Sequence, residues 1–132
     1  IVYGASRPQG QAQHAAWARF ADDGSVAPLP TEIWELPVEG GEGRQLTWWR
    51  ANSFAPLPVD GGLVFTSNAQ DPKREDFDLY FLATGSDQPI RLTFSEGFDG
   101  LAELLPDGRV VFVSERSAGI AQLFVTTLKL PG

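Results

Sequence analysis

Residues Gln88 to Leu128 read QPIRLTFSEGFDGLAELLPDGRVVFVSERSAGIAQLFVTTL, and a weaker copy of this stretch precedes it in the same chain. Gln45-Leu46-Thr47-Trp48 stands for Arg91-Leu92-Thr93-Phe94, and Asp60 to Ser67 stands for Asp107 to Ser114. The spacing is 107 − 60 = 47 at the Asp-Gly pair and 92 − 46 = 46 at the Leu-Thr pair. Short apolar runs separated by turn residues, repeating every roughly 40 to 50 residues, mark the blades of a β-propeller. An all-β fold is therefore expected: a partial propeller of about three four-stranded antiparallel blades, with function to be sought in the loops.

Working outward from the repeat, Ile1 to Ala5 aligns Val2-Tyr3 with Val64-Phe65 and Val111-Phe112, which makes it the second strand of a blade. Gln11 to Ala21 carries helix formers, with Trp17, Phe20 and Ala21 on one stripe, and Asp22-Asp23-Gly24 stops it. This predicts one helical insertion, at about residues 10–22, between strands of the first blade. Pro28 and Pro30 return the chain into Glu32 to Leu36, and Gly40 to Gly43 forms a hairpin turn. Asp60-Gly61 and Asp107-Gly108 each sit between apolar runs, a strong hairpin signal. The expected blades are 1–53, incomplete, 54–100, and 101–132, also incomplete. Three, four and three strands do not close a ring of about four to eight blades. Either chain precedes Ile1, or copies associate, or the open edges are covered in another way.

Composition narrows the function. The chain has 132 residues, 42% of them hydrophobic, enough for a sizeable core. A net charge of −7 argues against nucleic-acid or anionic-membrane partners, which need clustered Lys and Arg. With no cysteine there is no disulfide, thiol nucleophile or thiolate metal site. No apolar run approaches the length of a membrane span.

The segments RQLTWWRANSFAPLPVDGGLVFTSN, FDLYFLATGSDQPIRLTFSEGFDG and LPDGRVVFVSE resemble the TolB-like β-propeller repeats, which are related to WD-type blades. Their usual text is a Leu-Thr pair, a Ser-Pro-Asp-Gly turn, an apolar strand and Ser-Asn-Arg. The likeness spans essentially the whole chain, including IVYGASRP, the insertion, and Pro28 to Trp34. Departures occur where Leu105 replaces the Ser before Pro-Asp-Gly, and where Ser114-Glu115-Arg116 replaces Ser-Asn-Arg. The resemblance implies the closing blades of a bacterial propeller, with a strand from an N-terminal segment completing the last one. It further implies a periplasmic or otherwise extracytoplasmic scaffold that binds other proteins, or a propeller beside a hydrolase as its gate.

In antiparallel blades, the connections between second and third strands emerge on the same rim as those between blades. That rim gathers Ser6 to Thr31, Asn68 to Asp76 and Glu115 to Ile120 with Trp48 to Ser53 and Phe94 to Asp99. Trp48, Trp49 and Phe54 add aromatic area there. The candidate partner-binding set is Arg7, Trp17, Trp49, Arg50, Asn52, Asn68, Arg74, Asp99 and Arg116. The alternative is that Trp48, like Phe94, packs between blades and that the charged groups are simply solvated. Trp49 stands apart, because its place in the second copy is taken by Ser95.

Catalytic and metal chemistry find little support. Asp71, Glu75, Asp76 and Asp78 do not follow the twelve-residue calcium loop, and Pro72 and Lys73-Arg74 interrupt them. His14 is the only histidine, so a zinc ligand set is lacking, and a sugar-cleaving propeller with a central metal would need several. No serine stands in Gly-x-Ser-x-Gly, and the Gly40 to Gly43 cluster lacks the Lys and Ser/Thr of a phosphate loop. Neither a catalytic residue nor a cofactor is expected. The expected partners are another protein, or further chain completing the propeller, with association through open blade edges as a third possibility.

Overall fold

A computed structural model describes residues 1–5, 31–71 and 76–128. The helical insertion expected at residues 10–22 lies outside the described residues. Those described form ten strands: β1 (Val2–Ala5), β2 (Glu32–Glu35), β3 (Arg44–Gln45), β4 (Ser53–Val59), β5 (Gly62–Ser67), β6 (Asp78–Ala83), β7 (Ile90–Arg91), β8 (Asp99–Leu104), β9 (Val110–Ser114) and β10 (Gln122–Thr126). They make three antiparallel sheets, ordered β1-β2-β3, β4-β5-β6-β7 and β10-β9-β8. No helix among the described residues is long and apolar enough to cross a membrane.

The middle sheet is buried on both faces, which explains its continuous apolar runs, LVF in β5 and LYFL in β6. Because successive side chains alternate in direction, the runs divide between two cores. Leu63, Phe65, Tyr80 and Leu82 pack with Ile33 of the first sheet, joined by Val2, Leu46 and Trp49. Val64, Leu79 and Phe81 pack with Ala102, Val110 and Phe112 of the third sheet. Fully burying one such side chain contributes about 1.5–3 kcal/mol. The two Asp-Gly hairpins thus lie in different sheets, joining β4 to β5 and β8 to β9. Gly61 (φ 82°) and Gly108 (φ 88°) supply the left-handed backbone those turns require.

The internal repeat extends to single hydrogen bonds. Thr47 Oγ1 accepts from the Ile33 amide at 3.0 Å, and Thr93 Oγ1 accepts from the Leu79 amide at 2.9 Å. The Ser53 amide donates to the Thr31 carbonyl at 3.0 Å, and the Asp99 amide to the Phe77 carbonyl at 2.8 Å. Parallel bridges join Thr31 to Asn52 and Phe77 to Phe98. Bulges interrupt β4 between Phe54 and Leu57 and β8 between Gly100 and Glu103. At their corners Ala55 (φ 51°) and Leu101 (φ 54°) take the left-handed conformation that L-residues rarely adopt. Each pair is 46 residues apart, as in 101 − 55 = 46.

Among the described residues, the third sheet differs from the middle one in having a single covered face. Val110, Phe112 and Ser114 of β9 are buried, whereas Leu123 and Val125 of β10 are 73% and 50% exposed. Leu123 pairs with Val113 and Val125 with Val111, so these four side chains share the uncovered face.

Candidate functional site

The rim is built from backbone laced to backbone. The Asn68 amide donates to the Asn52 carbonyl at 3.3 Å, and the Glu115 amide to the Phe98 carbonyl at 2.9 Å. The Asn52 amide in turn donates to Asn68 Oδ1 at 2.8 Å. Asp71 accepts from the Asp76 amide at 2.9 Å, and Asp76 Oδ1 accepts from the Gly97 amide at 2.8 Å. Asp76 therefore pins the connection between the second and third sheets, and Asp71 holds Asp76 in place.

The candidate set divides accordingly. Arg50 and Arg116 are exposed on the rim, Asn52 is half-buried, and Arg7, Trp17 and Arg74 lie outside the described residues. Asn68 and Asp99 are buried, at 1% and 0% exposure, and have no surface to offer a partner. That corrects their expected role: a buried polar group is retained where it completes hydrogen bonds, and both do so. Trp49 is corrected too. Its ring lies 6.1 Å from that of Phe65 and edge-on at 5.0 Å from Tyr80, inside the first inter-sheet core. Trp48 and Phe94, which the alternative reading packed between blades, are 64% and 71% exposed. Phe54 is half-buried, with its ring 5.6 Å from Phe77.

Two buried carboxylates anchor the rim to the sheets. Asp78 takes Arg91 Nη2 at 2.6 Å and the Thr93 hydroxyl at 3.1 Å. Asp99 takes the Ser114 hydroxyl, and Arg116 Nη2 at 3.2 Å. Burial pushes the Asp78 carboxyl above its ordinary range against the pull of Arg91, and the nearby Asp99 charge adds to the rise. Glu32, one repeat before Asp78, is raised for the same main reason, desolvation.

Between the second and third sheets a cleft of about 660 Å³ opens, lined by Leu79, Leu92, Phe94, Ser95, Phe112 and Arg116 among others. Arg116 lies over its floor, with Cζ 5.2 Å from the Phe112 ring centroid and 5.1 Å from that of Phe124. Its Nε donates to Ser114 Oγ at 2.8 Å, so the guanidinium is held from two sides. At the mouth the Arg91 guanidinium sits 4.8 Å from the Phe94 ring. The first inter-sheet groove has a depression of about 530 Å³, displaced toward the Gly85 turn and lined by Glu35, Arg44 and Trp48 rather than Trp49.

Of the residues that shape this cleft, the sequence singled out Arg116 as a candidate, and Ser95 only as the residue standing where Trp49 does. The roles of Leu79, Leu92 and Phe112 as its walls had no local signal, because each reads as an ordinary strand residue. Among the described residues no group of three His, Cys, Asp or Glu is placed to hold a metal ion. No protein-family model matches this chain, and no curated protein matches it.

Proposed function

We propose that the chain is a run of consecutive β-propeller blades of the TolB-like kind, serving as a non-enzymatic protein-interaction module in an extracytoplasmic compartment. Its partner meets the rim that carries the inter-sheet connections, with the predicted helical insertion beside it. Sheets that stack face to face with one hydrogen-bond plan, offset by 46 residues, support the blade reading. So does the uncovered apolar face of the third sheet. Its Val111, Leu123 and Val125 stand where Val64, Leu79 and Phe81 stand in the middle sheet, and those residues pack against the next sheet along.

The observation that carries the interaction reading is one surface bearing exposed Phe94 together with Arg91 and Arg116. Both guanidinium groups are held by buried carboxylates. Aromatic and arginine side chains are the residue types that dominate binding energy at protein interfaces, and these two arginines have already lost much of their rotamer freedom. The experiment is affinity capture from the source cells with the wild-type chain and with Arg50→Glu combined with Phe94→Ser. A partner held by the wild type and released by the variant supports the reading. A partner held equally by both contradicts it.

A further inference from the structure

Each of the three sheets carries a cross-strand aromatic pair on one face: Tyr3 with Trp34, Phe65 with Tyr80, and Phe112 with Phe124. Side chains alternate along a strand, so the neighbouring Val2 and Ile33, Val64 and Leu79, and Val111 and Leu123 point to the opposite face of their sheets. Twice the chain joins one kind of face to the other. Val2 and Ile33 pack with Phe65 and Tyr80, and Val64 and Leu79 pack with Phe112 and Phe124. One face of each kind stands at the two ends of the stack. Leu123 and Val125 are 73% and 50% exposed, and Tyr3 and Trp34 are half-buried where Phe65 and Tyr80 are buried.

We propose that a second copy of this chain covers the third sheet. Val111, Leu123 and Val125 of one copy seat on the Tyr3 and Trp34 face of the other, and the reciprocal contact closes a ring of two copies. The inference rests on the blade reading given above. One chain carries both halves of an interface that it already builds twice, with the same cross-strand pairing and the same residue types, and this continuity argues for a second copy as the occupant. A head-to-tail contact of this kind either closes into a ring or runs on as a filament. Each copy brings three sheets among its described residues, so two copies give 2 × 3 = 6, within the about four to eight of a closed propeller. One copy falls short of that range, and three copies, at 3 × 3 = 9, exceed it. Closure engages two interfaces at once, and the second is intramolecular once the first has formed, which strengthens the pair without further contacts. One position departs from the plan. Leu57 pairs with Val64 and packs against the second core, whereas exposed Glu103 pairs with Val111 and sets a carboxylate on the seating face.

Sedimentation velocity on the full chain across the micromolar range is expected to show the mass of two chains and no larger species. Leu123→Asp combined with Val125→Asp, both exposed positions, is expected to give a folded monomer. Glu103→Leu restores the residue type of the middle sheet and is expected to lower the dissociation constant about ten-fold. Should the double variant fail to fold, an isotope-filtered NOE spectrum of mixed labelled and unlabelled wild-type chains decides the question. Contacts are expected from the Leu123 and Val125 methyl groups of one copy to the Tyr3 and Trp34 rings of the other. A monomer at every concentration, or open-ended growth into larger species, would overturn the proposal. So would contacts between the Leu123 and Val125 methyl groups of the two copies, which would set their third sheets back to back. A wild-type monomer that still captures a protein partner would overturn the ring and leave the interaction reading standing. A dimer with these contacts that captures no partner supports the ring and defeats the interaction reading alone.

Discussion

The hydroxyl of Thr93 accepts from the amide of Leu79 at 2.9 Å, and the same hydroxyl donates to Asp78 Oδ1 at 3.1 Å. One repeat earlier Thr47 accepts from Ile33 at 3.0 Å. The threonine of each Leu-Thr pair therefore substitutes for a backbone acceptor where the outermost strand ends. Thr93→Val keeps the shape but leaves a buried amide unpaired, at a cost of about 1–3 kcal/mol. Thr47→Val is expected to cost a similar amount and Thr93→Ser much less. Urea unfolding of the three variants checks this, and a neutral Thr93→Val would remove the role assigned to the hydroxyl.

The Asp99 carboxylate is fully buried and compensated by Arg116 and Ser114. Removing the guanidinium strands a charge in the interior. Because Arg116 is partly solvated, Arg116→Ala is expected to cost about 2 kcal/mol, less than for a fully buried pair. Asp99→Asn in the Arg116→Ala background should recover most of that loss. Thermal unfolding of the single and double variants provides the comparison.

Glu32 and Asp78 give the protein a pH response opposite in sign to that of an exposed salt bridge. Desolvation raises both carboxyls, Glu32 above its ordinary 4.5 and Asp78 above its ordinary 3.8. Above the unfolded-state value the native state keeps a proton that the unfolded chain has released. Their contribution to stability is thus largest below the ordinary values and declines as pH rises through the raised ones. Glu32→Gln removes one of these titrations, so the Tm of the variant relative to wild type should climb as pH rises above the ordinary carboxyl value of 4.5. Parallel profiles would contradict the assignment.

Adjacent tryptophans are expected to behave oppositely. Trp49→Ala empties the space over Phe65 and Tyr80 and is expected to cost about 3 kcal/mol. Trp48→Ala removes a ring that is 64% exposed and should change stability by less than about 0.5 kcal/mol. Chemical denaturation of the two variants checks the pair, and equal losses would reverse the packing described for this connection.

Strand positions and both Asp-Gly corners were legible because they rest on local features: two-residue alternation, glycine in turns, and a repeat offset measurable from the text. The two-sided burial of β5 and β6 was written in their unbroken apolar runs. Which of two neighbouring tryptophans turns inward was not legible, since a connection without regular structure has no periodicity to assign a face. Asn68 and Asp99 were misread for a related reason. A polar residue in a loop looks solvated until the strands around it are placed, and here the folded chain closes over both side chains.

The stacking of successive sheets is tested most directly by NOE spectroscopy on the isotope-labelled chain. Contacts are expected between the Thr66 methyl group and the Gly100 and Leu101 backbone, and between Gly4 and Phe54, where the first two and last two sheets touch. The arrangement of separate, face-to-face sheets predicts these together with no cross-strand Hα–Hα contacts between β5 and β9. Cross-strand contacts joining Val64 to Val111 in one continuous sheet would contradict it.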